Sequence, residues 1–270
     1  MSITTLAQAQ RTAVLPGPVT PDIRGVFTDH NTAEGNGGGD ATSLGVFTNT
    51  VLQVYNEDLV LAAGINPGDV LTGISFRVSG GPETFNPAPN FQVDNYLFSL
   101  GHSLNSAGNL VDNFDANAVG GALTQVRSGA LEFNAADYPQ VNPNTGTGTA
   151  NAFGPVIEFN DSTFTYTGGD LLLEYSHTGA EALNGSLVRS RADTIASTVP
   201  SPDIPDFADS RVQTFFGAGF DAPARTFATF FGDNTATIVQ FQIAAVPEPT
   251  SAALLMGLGM IGVVRRRRKI

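Results

Sequence analysis

The chain has 270 residues, room for one large all-β domain or two ordinary ones, and its 41% hydrophobic content supplies a core and excludes global disorder. It has no cysteine and three histidines, which excludes a disulfide scaffold, a thiolate metal site and a cysteine nucleophile. Up to Val246 it holds 24 acids, 8 arginines and no lysine, a formal charge of −16, and such a surface repels phosphate backbones and excludes nucleic acid as a partner.

In chain order, residues 1–10 (M-S-I-T-T-L-A-Q-A-Q) contain neither a basic n-region nor an apolar h-region. Ala7-Gln8-Ala9 is nonetheless a small-x-small box of the kind that signal peptidase cuts. Two readings stand: an export leader whose coding frame extends upstream of Met1, or an ordinary flexible amino terminus. Residues 1–24 are therefore expected to be leader remnant and flexible chain.

From residue 25 to 245 the pattern is that of strands. Ile74, Phe76 and Val78 alternate with Ser75, Arg77 and Ser79. Leu171, Leu173 and Tyr175 share one face, and Val239, Phe241 and Ile243 oppose Ile238, Gln240 and Gln242. Further strands are expected at 51–55, 91–100, 123–127, 156–159, 164–167, 212–216 and 226–231. Turn signals separate them at Asn66-Pro67-Gly68, Gly80-Gly81-Pro82, Gly168-Gly169-Asp170 and Gly232-Asp233-Asn234. Glycine and proline together make 46 of the 270 residues, in keeping with many turns. Residues 56–63 and 180–187 are expected to form a helical turn or two. Gly-rich or Pro-rich composition makes 32–42, 138–150 and 199–208 loops. No fixed-period repeat is present. The expected fold is all-β: a single antiparallel β-sandwich, jelly-roll-like, followed by a single-pass hydrophobic helix.

Motifs for chemistry are sparse. Gly101-His102-Ser103-Leu104-Asn105 falls one residue short of the G-x-S-x-G nucleophile elbow. Asn105 stands where the tight turn needs a small residue, no helical pattern follows, and a polar turn competes. His30, His102 and His177 are far apart in sequence, and each reads as a surface or turn histidine. The oxygen-rich runs Asp112-Asn113-Phe114-Asp115-Ala116-Asn117 and Asp29, Glu34, Asp40 suit a hard cation in residue type but lack the EF-hand spacing. Asp and Asn also dominate turns for backbone reasons. The 24 body acids offer many carboxylate pairs of unknown separation. No catalytic, cofactor-binding or metal residue is assigned, and the expectation is a protein that is not an enzyme and needs no cofactor.

The carboxy-terminal end is specific. Val246, Pro247, Glu248 and Pro249 form an extended, exposed stretch, since two prolines flanking Glu248 exclude a helix or a central strand. Residues 251–264 carry no charge, and Arg265, Arg266, Arg267, Arg268 and Lys269 follow. As a helix the fourteen residues would span about 21 Å, short of the ~30 Å hydrocarbon core, so a buried core helix competes. The all-round apolarity, the terminal position and the one-sided arginine cluster favour a membrane segment with the arginines as its cytoplasmic stop.

Pro-Glu-Pro, a short apolar stretch and a terminal arginine cluster, in this order, resemble the PEP-CTERM sorting signal of Gram-negative bacteria. The resemblance covers about a tenth of the chain. It implies a signal peptide, export, temporary anchoring in the inner membrane, and processing by an exosortase near the motif. It also implies delivery to the cell surface or the exopolysaccharide matrix. With it, Ala7-Gln8-Ala9 gains weight as a signal peptidase site. The segments G-I-S-F-R-V (73–78) and F-T-Y-T-G-G-D-L-L-L-E-Y (164–175) resemble a body type recurrent among PEP-CTERM proteins, which implies one β-rich domain and no particular activity. The expected organisation is a leader at 1–24, a body at 25–245 and a sorting signal at 246–270. The expected role is a structural or interaction component of the matrix. A secreted carbohydrate-binding or carbohydrate-active module is the alternative, disfavoured by the absence of tryptophan and by phenylalanines that read as core.

Overall fold

The computed structural model describes residues 10–16, 49–78, 90–107, 109–111, 113–138, 150–177, 181–182, 194–196, 211–215, 230–233 and 235–244. In chain order the strands begin with β1 (Arg11–Leu15), β2 (Asn49–Tyr55), β3 (Val70–Phe76), β4 (Phe91–Val93) and β5 (Tyr96–His102). Next come β6 (Thr124–Arg127), β7 (Leu131–Phe133), β8 (Ile157–Glu158), β9 (Phe164–Thr165) and β10 (Leu171–His177). The remainder are β11 (Glu181–Ala182), β12 (Thr194–Ala196), β13 (Arg211–Phe215), β14 (Phe230–Asp233), β15 (Thr235–Thr237) and β16 (Val239–Ile243). Among the described residues one α-helix, α1 (Glu57–Ala62), follows β2. Among the described residues no helix is long and apolar enough to cross a membrane, and the apolar stretch 251–264 lies outside them.

Every strand pair among the described residues is antiparallel. A five-stranded sheet has the order β1-β16-β3-β8, with β9 pairing the other end of β3, and a six-stranded sheet has the order β14-β13-β2-β10-β5-β6. The two sheets face each other through side chains that alternate along each strand. Phe76 on β3 lies 5.9 Å from Phe98 on β5 and 5.7 Å from Tyr175 on β10, ring centre to ring centre. Ile74, Phe76, Leu100, Leu171, Leu173, Tyr175, Val239, Phe241 and Ile243 are all fully buried in this shared layer. This follows from period-two patterning, because residues i and i+2 of a strand point to one face.

Strand β16 is central in its sheet. Phe241 sits opposite Ala13 of β1 on one side and Ile74 of β3 on the other. β1 falls inside the stretch expected to be a flexible leader. Its Ala13, Val14 and Leu15 are buried, and only the pairing with β16 makes five residues with two polar ones at the front into a strand. Just before β16, Thr237 is held within the core by the opposite sheet. Its N–H donates to Gln53 Oε1 at 3.3 Å, its carbonyl accepts from Tyr55 Oη at 2.7 Å, and its hydroxyl meets Tyr175 Oη at 3.2 Å.

Several expectations change. The run 91–100 is two strands in different sheets. At Asp94-Asn95 the chain turns, Asn95 Oδ1 accepts from Gly129 N–H at 3.3 Å, and β4 joins a small sheet β11-β4-β7. Residues 181–182, expected to be helical, pair as a strand with Phe91 and Gln92. Gly232 and Asp233, read as a turn, end strand β14. The loops expected at 32–42 and 199–208 lie outside the described residues, as do residues 139–149 of the third. Helix α1 and the turns at 66–68 and 168–170 stand where expected, Gly68, Gly168 and Gly169 taking φ of 98°, 103° and 83°.

Candidate functional site

The sorting-signal residues Val246, Pro247, Glu248 and Pro249, and the membrane-stop residues Arg265, Arg266, Arg267 and Arg268, lie outside the described residues, as do His30, Asp29, Glu34, Asp40 and Asp112. What the structure does place is the end of the body. Ile243 completes β16, and Ala244 N–H donates to Val70 O at 2.8 Å, two residues before Val246.

The near-elbow around Ser103 is a turn. Ser103 Oγ donates to Asn105 O at 2.6 Å, Asn105 N–H donates back at 3.2 Å, and Ser103 bridges to Ala118 instead of starting a helix. His102 ends β5 with its ring against Phe164 and Tyr166, and its Nε2 accepts from Thr167 N–H at 3.2 Å. Burial lowers its pKa, so the neutral ring is the favoured form there. His177 is not a surface histidine. It is fully buried on β10, stacked 5.1 Å from Tyr96, one step further along the Leu171, Leu173, Tyr175 face. Extending that alternation by two residues would have found it.

Of the run 112–117, the described residues 113–117 close around an amide. Asn117 is buried, and its Nδ2 donates to Val111 O at 2.8 Å and Asn113 O at 2.9 Å. Its Oδ1 accepts from Val111 N–H at 2.9 Å and Asn105 Nδ2 at 3.0 Å. The loop carbonyls thus face an amide nitrogen. This knot carries Ala107, Phe114 and Ala118 onto Leu52, Val54 and Leu172, the outer face of the six-stranded sheet. Asn117→Ala leaves those groups unsatisfied and is expected to lower unfolding free energy by about 3 kcal/mol, read from the denaturant midpoint.

A second polar junction joins α1 to the 168–170 turn. Asp170 Oδ1 accepts from Glu57 N–H at 2.8 Å, and Glu57 Oε1 accepts from Gly169 N–H at 2.8 Å. Nearby, Tyr166 Oη donates to Gly169 O at 2.6 Å. Burial, reinforced by Glu57 and Asp170, pushes the Tyr166 phenol up to about 12. Burial raises the Asp170 carboxyl above its ordinary 3.8, opposed by the Glu57 N–H bond and reinforced by the charges of Glu57 and Asp58. The folded chain therefore binds this proton more tightly than the unfolded chain. The stability it contributes is present below pH 3.8 and lost as the pH rises through the folded value. Asp170→Asn keeps an acceptor for Glu57 N–H and removes the charge. It is expected to melt higher than the parent at pH 7, with the difference shrinking towards pH 4 in thermal scans at both values.

Among the described residues, a cleft of about 440 Å³ lies between β7 with its following turn and the β8 segment. Glu132, Asn134, Asp137 and Tyr138 line it from the β7 side of the sequence, and Val156, Ile157 and Glu158 from the β8 segment. Phe133 lies at its apolar side, stacked on Phe91 at 4.6 Å and against Tyr138 at 5.8 Å. Tyr138 lies flat over Gly154, where a Cβ would come 2.2 Å from Cε1, so only glycine admits the ring. Burial raises the Tyr138 phenol well above the ordinary tyrosine value, with Asp137 adding to it.

Arg127 also lines the cleft, its guanidinium engaged in donating to Ala130 O at 2.9 Å and Ser128 O at 3.2 Å. Burial pulls its pKa down, with Asp161 opposing. Behind Phe133, at 6.0 Å, stands Tyr96, whose buried hydroxyl has no hydrogen-bond partner. Three carboxylates against one guanidinium give the cleft a formal sum of −2. Gln242, turned so that its amide nitrogen faces Glu158, donates to both carboxylate oxygens at 3.1 and 3.0 Å. The cleft joins segments distant in sequence, so no motif announced it. Among the described residues no group of three or more His, Asp or Glu is placed to hold a metal ion.

Residues 245–269 match the model of the PEP-CTERM protein-sorting motif. The chain thus carries, after an antiparallel β body, a carboxy-terminal sorting signal consistent with an exosortase substrate. This signal implies export and a cell-surface or extracellular location. No curated protein matches the chain. One solved structure that is similar comprises the cysteine protease and lectin-like domains of Cwp84, a surface layer associated protein of Clostridium difficile. Identity is 7% and the TM-score is 0.34, over 74% of this chain and 32% of that one. This chain therefore spans about a third of its length, and at that similarity nothing passes from it to this chain.

Proposed function

We propose that this is an exported protein sorted by an exosortase and retained at the cell surface or in the exopolysaccharide matrix, where its β-sandwich body is a structural or interaction component and not an enzyme. The match of residues 245–269 to the sorting motif carries the reading. In it, signal peptidase cuts after Ala9, which leaves Gln10 as the first residue and β1 intact from Arg11. Residues 251–264 hold the precursor in the inner membrane with Arg265 to Arg268 on the cytoplasmic side. The exosortase then acts at Val246–Pro249.

The body supports this order of events. Its last ladder ends at Ile243, so cutting beyond Ala244 releases a unit with both sheets complete. The facing sheets support the sandwich reading. The acidic body suits an exported, soluble surface more than any nucleic-acid role. The test is blotting of inner-membrane, surface and matrix fractions from a host with an exosortase and from the same host lacking it. The expected result is surface and matrix protein in the first and membrane-held precursor in the second. Equal matrix delivery in both would overturn the reading.

A further inference from the structure

We propose that Gln10 becomes the first residue of the exported chain and closes on itself as a pyroglutamyl lactam, a cap that shields strand β1 from exopeptidases. This rests on the reading that signal peptidase cuts after Ala9, and it adds the fate of the end so formed. The side-chain amide of glutamine can close a five-membered ring with its own α-amine. The amine nitrogen attacks Cδ, a bond forms between N and Cδ, and the bond from Cδ to Nε2 breaks. Nε2 leaves as ammonia with the proton that the amine gives up, so neither oxidant nor water is consumed. An α-amine loses its proton at about pH 7.7–8.0, so at neutral pH a share of the chains holds the attacking neutral form.

The fold leaves Gln10 free to react. It is exposed, and the β1–β16 ladder begins one residue later, at the pair Arg11 and Ile243. Its side-chain amide rests on that of Gln242, Nε2 donating to Oε1 at 2.6 Å once Gln242 is turned towards Glu158. Gln10 faces solvent, so water takes over that bond when Nε2 departs. What the lactam protects is the residue after it. Arg11 donates to Gly64 O at 2.6 Å and pairs with Asp69, which ties the start of β1 to the 64–69 turn. β1 lies at the edge of its sheet, held by β16 alone in the ladder. An aminopeptidase grips a free α-ammonium and removes one residue at a time. Loss of Gln10 and Arg11 would cut both ties and leave the strand to start at Thr12. A lactam offers no ammonium to grip.

The composition makes this end easy to read. Up to Val246 there is no lysine, so a chain cut at the sorting motif has one primary amine, that of its first residue. Intact cells of a host with an exosortase are treated with an amine-reactive label before extraction, so that an end still open in the cell is trapped before it can close in handling. The surface protein is then cut on the amino side of aspartate, which releases residues 10–21. The expected peptide is unlabelled and lighter than the open Gln10 form by one ammonia. Gln10→Asn would need a strained four-membered ring, so it is expected to carry the label in full. After aminopeptidase treatment this variant should lose residues 10 and 11 and melt lower than before, while the parent keeps its mass and melting temperature. A labelled peptide that starts at Gln10 would overturn the lactam and leave the leader cut standing. A first residue other than Gln10 would overturn both.

Discussion

A chain ending at Ala245 is expected to melt as the full-length protein does, whereas a chain ending at Thr235 should not fold. The shorter chain loses β16, the strand between β1 and β3, and with it Val239, Phe241 and Ile243, all fully buried. At about 1.5–3 kcal/mol for each large apolar side chain, the loss rivals the 5–15 kcal/mol by which a typical domain is stable. It also removes Thr237, leaving Tyr55 and Tyr175 hydroxyls in the core without the partner that joins the two sheets. The point variant Phe241→Ala should cost about 3–5 kcal/mol for the same reason, lost contact plus a cavity. Thermal melts followed by circular dichroism decide it. Equal melting of the two shortened chains would show that β16 is no part of the core.

The sorting signal should fail in two different ways. Glu248 lies outside the apolar stretch, so Glu248→Gln leaves membrane insertion intact and removes the charge that a processing enzyme reads between two prolines. Full-length precursor should then accumulate in the inner membrane with its body in the periplasm. Replacing Arg265 to Arg268 with serine acts on topology instead. It removes the positive charge that keeps that end cytoplasmic, so the precursor should slip through the membrane or insert in mixed orientation. Blotting of cell fractions, with protease added to spheroplasts, separates the two outcomes. Processing of the Glu248 variant at the parental level would reduce the segment to a plain anchor.

Legibility in the sequence followed physical cause. β16 could be read because its alternation is strict and one face is buried, and β10 because Leu171, Leu173 and Tyr175 recur every second residue, although its other face is buried as well. β5 and the short β4 read as one strand because apolar residues run through 91–100, and only the Asp94-Asn95 turn and its bond to Gly129 divide them. β1 was missed because Arg11 and Thr12 hide a three-residue apolar run whose burial comes from β16, over two hundred residues away. Ser75 and Arg77, read as the polar face of β3, are buried as well, with Arg77 5.3 Å from the Phe153 ring, since segment 150–156 covers that face. Asn117 was read as one of several turn residues, and nothing local marks it as the buried centre of a knot. The cleft was invisible for a related reason. Asp137 and Glu158 are twenty-one positions apart, follow or sit on strands of different sheets, and share only the lining of this cleft.

The most direct test of the account is the mass of the surface-borne protein. Intact mass and terminal-peptide mapping of material washed from the host's surface or matrix should give Gln10 at the amino end and a carboxy end close to Pro249, with residues 251–270 gone. Surface protein that still carries Arg265 to Lys269 would contradict it.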